Sequence, residues 1–350
     1  MFSLNLRIAL VAGACLLTNA HAQKAPAEPM SVEAIAAYQG PDRHERLLEG
    51  AKKESGLVVY HVYPALTKLV DAFGKKYDIK VKTWRAGSEA VLQRIINENK
   101  GNRHEVDMVQ NNSPENEAAS REKLLATVLS PYQNDLIAAA VPAHHQWVGI
   151  TTDIFSMAYN TQKIKKEDLP KSYEDLLDPK WKGQLGIETN DQVWFGNLLL
   201  AMGEEKGENY FRTLVAKNQP SVRKGHSLLT MMVSSGEVPL ALTVYSWNPE
   251  ALKKKGAPVE GHAIAPLIAQ VSTIGLLKKS PNPHTALLFY DFLISEGQQK
   301  LKDLLFVPTS KSIARPFPEL ELTYIDPGKA LEMNAKWTQK FDEIVVKKSK

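Results

Sequence analysis

The feature that most narrows the fold is a strand pattern that hands over to a helical one three times in succession. Gly56-Leu57-Val58-Val59-Tyr60 is a short buried-strand run, followed by the loop His61, Val62, Tyr63, Pro64 and a helix that puts Leu66, Leu69, Val70 and Phe73 on one face. Residues 79–83 form the next strand pattern, Trp84-Arg85-Ala86-Gly87-Ser88 its loop, and Val91, Leu92, Ile95 and Ile96 the next helical face. Val106-Asp107-Met108-Val109 then leads into Gln110-Asn111-Asn112-Ser113. Three such units in series predict an α/β fold with an open, mostly parallel sheet whose post-strand loops gather along one edge. Ligands bind such sheets at that edge.

Downstream, residues 147–150 and 155–161 are extended runs without helical period, as expected of strands that carry the chain out of one sheet into a second. A capped helix is expected over 170–176 and a strand at 183–187. Thr189-Asn190-Asp191 then caps a helix bearing Val193, Trp194, Leu198 and Leu199. Helix 227–233 and strand 238–245 repeat the logic. Extended patterning over 263–277 contains Pro266, which suits a crossing segment or an edge strand. Pro281-Asn282-Pro283 opens a periodic helix, and a last helix is expected over 330–346. The stretch from Gln23 to Gly40, rich in Ala, Pro and Glu, suggests an extended or loosely docked lead-in before a helix start at Pro41-Asp42.

The first 22 residues have the form of a secretory signal peptide: Arg7, an apolar run from Ile8 to Leu17, and Ala20-His21-Ala22 as the cleavage site. The single cysteine, Cys15, lies inside this leader, so the exported chain would carry neither thiol nor disulfide, which excludes thiol catalysis and zinc-thiolate sites. Processing at Ala12-Gly13-Ala14-Cys15 to a lipid-anchored protein is the alternative, against which the apolar run is short and Ala12 is small. Removing Arg7 with a leader that holds no acid takes the formal charge from +4 to +3, too weak a bias to predict a nucleic-acid partner. A mature chain of roughly 330 residues exceeds what one core usually serves, so two lobes are expected.

Taken in order, these stretches resemble the substrate-binding proteins of bacterial ABC importers, and more narrowly their ferric-ion-binding subgroup. The matching residues are Arg85-Ala86-Gly87-Ser88, the crossing that ends in Tyr159-Asn160-Thr161, the run Tyr173-Glu174-Asp175-Leu176-Leu177-Asp178-Pro179-Lys180-Trp181, and Pro281-Asn282-Pro283 with Phe292-Leu293-Ile294-Ser295-Glu296-Gly297-Gln298. The resemblance implies a two-lobed periplasmic-binding-protein fold of type II, two open α/β sheets joined by hinge strands, in a monomer that closes over a solute and delivers it to a membrane permease without chemistry. Lobe 1 would span 23–147, lobe 2 148–265 with hinge strands 148–160, a return to lobe 1 266–310, and a C-terminal helical segment 311–350. A secreted hydrolase is the reading from another class, and a sensor-linked receptor shares the fold. No G-x-G fingerprint or P-loop is present, and Gly225-His226-Ser227 fails as a nucleophile elbow because Leu229 stands where glycine is required.

Ferric-binding relatives imply hard oxygen donors, two adjacent tyrosines among them. Here that position reads Val244-Tyr245-Ser246-Trp247, so one tyrosine is missing and Fe3+ is the alternative ligand, with Tyr245 as its donor. The preferred expectation is a small anionic or zwitterionic organic solute, with no cofactor. Arg85 and Ser88 at a helix start would take a carboxylate or phosphonate, and Asn111, Asn112 and Ser113 would add neutral hydrogen bonds. From the facing lobe, Arg223 and His226 precede another helix, while Tyr245, Trp247 and Tyr63 offer aromatic walls. Asp191 would receive an ammonium group.

Overall fold

The structure, a computed structural model, describes residues 31–64 and 66–348. The leader and the first part of the lead-in lie outside the described residues.

The chain opens with α1 (Val32–Ala37) and α2 (Arg43–Ala51), then runs β1 (Leu57–His61), α3 (Leu66–Tyr77), β2 (Val81–Arg85), α4 (Ser88–Lys100), β3 (Met108–Asn112) and α5 (Ser113–Arg121). These are the three βα units expected, and β1 pairs in parallel with both β2 and β3. The second half consists of β4 (Val148–Asn160), β5 (Leu185–Glu188), α6 (Gln192–Met202), α7 (Glu204–Asn218), β6 (Ser221–Arg223), α8 (His226–Ser235), β7 (Leu240–Tyr245), α9 (Trp247–Lys253) and β8 (Val259–His262). It ends with β9 (Leu267–Leu276), α10 (Pro283–Ile294), α11 (Glu296–Asp303), β10 (Leu322–Tyr324) and α12 (Pro327–Phe341).

The strand order β2-β1-β3-β9-β4-β7-β5-β6 contains the two expected sheets, and β4 belongs to both. Its first half, through Ile154, pairs antiparallel with β9. From Phe155 onward it pairs with β7 and β8 instead. All thirteen residues of β4 are buried, as a strand covered on both sides at the lobe junction must be. One core fills lobe 1 around Phe73, Phe289 and Phe292. Another fills lobe 2 around Trp194, Phe195 and Phe211.

Four local readings are corrected by the packing. The lead-in is docked: Ile35 and Ala36 of α1 are buried in the lobe 1 core, and Arg43 Nη1 donates to the carbonyls of Ile35 and Tyr38. Over 170–176 there is only a single 3-10 turn, Glu174–Leu177, because Asp175 turns back to accept the backbone N–H groups of Lys171 and Ser172. Of the two readings of the 263–277 stretch only the edge strand falls: β9 is central, between β3 and β4, it packs Ile268 into one core and Ile274 into the other, and Pro266 precedes it rather than interrupting its ladder. The C-terminal segment is not wholly helical, since β10 adds to β9 before α12. Helix α12 packs on α6 of lobe 2 and on α5 of lobe 1.

Candidate functional site

Where β4 changes partners, Asp153 stands opposite Gln270 of β9 and Phe155 opposite Tyr245 of β7. The loops after β2 and β3 approach this junction from lobe 1, and those after β5, β6 and β7 from lobe 2. Between them lies a cleft of ≈ 680 Å³. A contiguous recess of ≈ 280 Å³ shares Ser88, Asn112, Gly225, His226 and Tyr245 with it and adds Tyr63, Asp153 and Trp247.

On the lobe 1 wall, α4 starts after Gly87 with no side chain among the described residues capping its first N–H groups, which leaves those donors available at the cleft, whereas the first turn of α5 holds Pro114, which has no N–H to offer. Asn112 Nδ2 donates to Ser88 Oγ at 3.0 Å, and Asn111 Nδ2 donates to the Ser88 carbonyl at 3.0 Å, so both amides act first as braces for the α4 start. Ser113 is buried and its Oγ has no partner among the described residues. Glu115, in the first turn of α5, lines the same wall, and burial pushes its carboxyl up to about 7.

The lobe 2 wall is acidic and aromatic. Glu188 ends β5 and accepts the N–H groups of Gly225, at 2.7 Å, and of Asn190. Asp191 precedes α6 without capping it; its Oδ1 instead accepts His226 Nε2–H at 2.9 Å. The His226 ring stacks on Tyr245 at 4.2 Å between centroids, and Tyr245 in turn lies parallel to Trp247 at 6.3 Å. Gln270 Nε2 donates to the Tyr245 hydroxyl at 3.2 Å. Burial alone would push the His226 imidazole down, but Asp191, Glu188 and Asp153 outweigh it and hold it above its ordinary value. Burial, then Asp191, raises Glu188. Burial, then Asp153, keeps the Tyr245 phenol protonated well beyond its usual range. Asp153 is 3 % exposed and burial pushes it up to about 7.

Of the residues singled out from sequence, Tyr63, Ser88, Asn112, Asp191, His226, Tyr245 and Trp247 line the cleft or its recess. Asn111 and Ser113 are buried directly behind the lobe 1 wall. Arg85 is not brought in: it is exposed at the end of β2, an edge strand paired only with β1, and lines neither cavity. Arg223 also stands away, donating to the Val222 carbonyl and lying 3.8 Å from Glu237. Sequence reasoning missed Asp153, Glu188, Glu115, Phe155 and Gln270. A signal existed for the first two, since each is an acid within or at the end of an apolar strand run, where a charge is costly unless it serves something. The walls therefore carry Glu89, Glu115, Glu188, Asp191 and Asp153, with no lysine or arginine among the described residues that line either cavity. Such an arrangement can receive positive charge. Glu188, Asp191 and His226 each offer a metal-ligating atom, all within 4.8 Å of one another.

A family model described as "Bacterial extracellular solute-binding protein" matches residues 117–323, more than half of the chain. Iron uptake protein A1 of Synechocystis sp. is 26% identical over 310 residues, which covers 79% of this chain and 83% of that protein. A putative 2-aminoethylphosphonate-binding periplasmic protein of Salmonella typhimurium is 27% identical over 291 residues, covering 79% and 82%. Among solved structures, iron-bound HitA from Pseudomonas aeruginosa superposes with a TM-score of 0.71 at 26% identity, covering 82% of this chain and 98% of that one. The two-lobed type II architecture expected from the sequence is shared with that structure.

Proposed function

Because the chain belongs to the family of bacterial extracellular solute-binding proteins, we propose that its lobes close over a small solute that carries a cationic centre. Solute-binding proteins of ABC importers bind small ligands and deliver them to a permease, and the relatives are binding proteins rather than enzymes. The single observation that carries the ligand class is the cleft's charge: carboxylates on both walls and, among the described residues that line it, no lysine or arginine, the one cationic group being His226, which is already paired with Asp191. A purely anionic solute would find neither Arg85 nor Arg223, and would meet Glu188 and Asp191 instead.

An ammonium-bearing zwitterion fits this polarity. Its cationic end would sit against Asp191 and Glu188. Its oxyanion would reach the open N–H groups of α4 with Ser88 and Asn112, and Tyr245 and Trp247 would cover its apolar part. The relative named for 2-aminoethylphosphonate supports that class. A metal ion with an accompanying anion satisfies the same electrostatics, and the closeness of Glu188, Asp191 and His226 favours it as the second reading. The relatives named for iron support it also. We assign the periplasm as the working compartment from the leader pattern together with the relatives so named.

A thermal-shift screen over amino acids, aminophosphonates, metal ions, plain carboxylates and plain phosphonates tests this. Saturation at a hundredfold excess over Kd stabilises a closed receptor by about 2.7 kcal/mol. Melting should rise with the compounds that bring positive charge and not with plain anions. A response confined to plain anions would remove the proposal.

A further inference from the structure

Resting on the cationic-centre reading, we propose that Glu188, Asp191 and His226 of lobe 2 form a binding site for a divalent first-row transition metal. Three donor side chains converge there from separate elements, the end of β5, the start of α6 and the start of α8, with their ligating atoms within 4.8 Å of one another. Asp191 Oδ1 and His226 Nε2 lie 2.9 Å apart. That is the separation of two donors at right angles on one ion with bonds of about 2.1 Å. In the metal-free state a proton on Nε2 occupies this gap, and the ion takes its place while the proton leaves to solvent.

A second observation points to a ligand independently of the clustering. Asp191 is 3 % exposed and lines the cleft, yet its other carboxylate oxygen, Oδ2, is buried without a hydrogen-bond partner among the described residues. An anionic oxygen left so costs stability unless something charged meets it. Glu188, by contrast, is fixed in orientation by the N–H groups of Gly225 and Asn190. A carboxylate offers about four lone-pair sites, so accepting these bonds still leaves it capacity to ligate, and such supporting bonds hold a metal ligand in place. Two carboxylates and one imidazole suit Mn2+, Fe2+, Co2+, Ni2+ or Zn2+, and the lack of thiolate disfavours Cu+. All three donors come from one lobe, so the ion's remaining positions face the ≈ 680 Å³ cleft. An oxyanion-bearing solute can fill them, which lets an acidic wall without arginine hold an anion.

The test uses the full mature chain, stripped with a chelator and titrated with Co2+ by calorimetry and visible absorption. A single equivalent should bind and give a d–d band, and Zn2+ should displace it. Asp191→Asn, His226→Gln and Glu188→Gln should each weaken binding at least about tenfold, with circular dichroism confirming the fold. His144→Gln, at a surface histidine paired with Glu117, should leave it unchanged. No Co2+ binding, or binding that all three variants leave intact, overturns the metal site. An ammonium-bearing solute tested beside Co2+ separates the two readings. If it stabilises the parent protein but not Asp191→Asn while Co2+ does nothing, the metal falls and the receptor stands. If neither binds, both fall.

Discussion

Asp153→Asn should stabilise the protein above pH 7 and change little near pH 4. The carboxyl sits on β4 at the lobe junction, 3 % exposed, with Oδ1 lacking a hydrogen-bond partner among the described residues. Burial pushes it from the ordinary 3.8 up to about 7, against the lowering pull of His226. A folded-state value above the unfolded one means that the folded chain holds this proton more tightly. The penalty is therefore absent below pH 3.8, grows as pH rises to 7, and is constant beyond. At about 1.4 kcal/mol per pH unit, the gap amounts to about 4 kcal/mol. Asparagine keeps the shape and never ionises, so it escapes the penalty. Urea denaturation of both proteins at pH 4, 5.5, 7 and 8 would measure it. The difference should widen with pH and level off above 7. A difference independent of pH would show that Asp153 ionises as readily in the folded chain as in the unfolded one, and would refute the reasoning.

Asp291→Ala should cost about 3–5 kcal/mol in urea denaturation, because it strands the buried Arg43 guanidinium that Asp291 accepts at 2.7 and 3.3 Å. Gly196→Ala should lower the melting temperature by loosening α12: a Cβ there would come within 2.0 Å of Trp337 Cδ2, and the Trp337 ring is 1 % exposed with no room to retreat. An unchanged melting temperature would show that α12 is not seated on α6. Ferric citrate should give no phenolate-to-iron charge-transfer band, since burial, then Asp153, holds the Tyr245 proton firmly. A band lost in Tyr245→Phe would show iron displacing that proton.

The alternation of strand and helix, the hinge crossing and the aromatic pair Tyr245 and Trp247 were legible because each follows from local pattern: period, turn residues and the apolar ends of strands. Asp191 and His226 were legible as helix starts, but not as partners of each other, since 35 residues separate them and only the parallel pairing of β5 with β6 brings their loops together. Arg85 misled for a related reason. Sequence places it after a strand, but whether that strand is central or at the edge depends on long-range pairing, and β2 proved to be the edge. Glu188 and Asp153 sit in strands whose neighbours are apolar, so pattern alone assigns them to a sheet without saying what they face. The missing second tyrosine argued against iron as the relatives bind it. It could not reveal that carboxylates and an imidazole gather beside the one that remains.

The central claim is that the cleft selects positive charge through Glu188 and Asp191, and calorimetry with compounds paired to differ only in an amine tests it most directly. 2-Aminoethylphosphonate against ethylphosphonate is one such pair; a divalent metal with and without ethylphosphonate is its inorganic counterpart. The account predicts that ethylphosphonate alone gives no heat, that adding the amine or the metal creates binding, and that Asp191→Asn abolishes it. Equal binding of the two phosphonates, undiminished in Asp191→Asn, would contradict it.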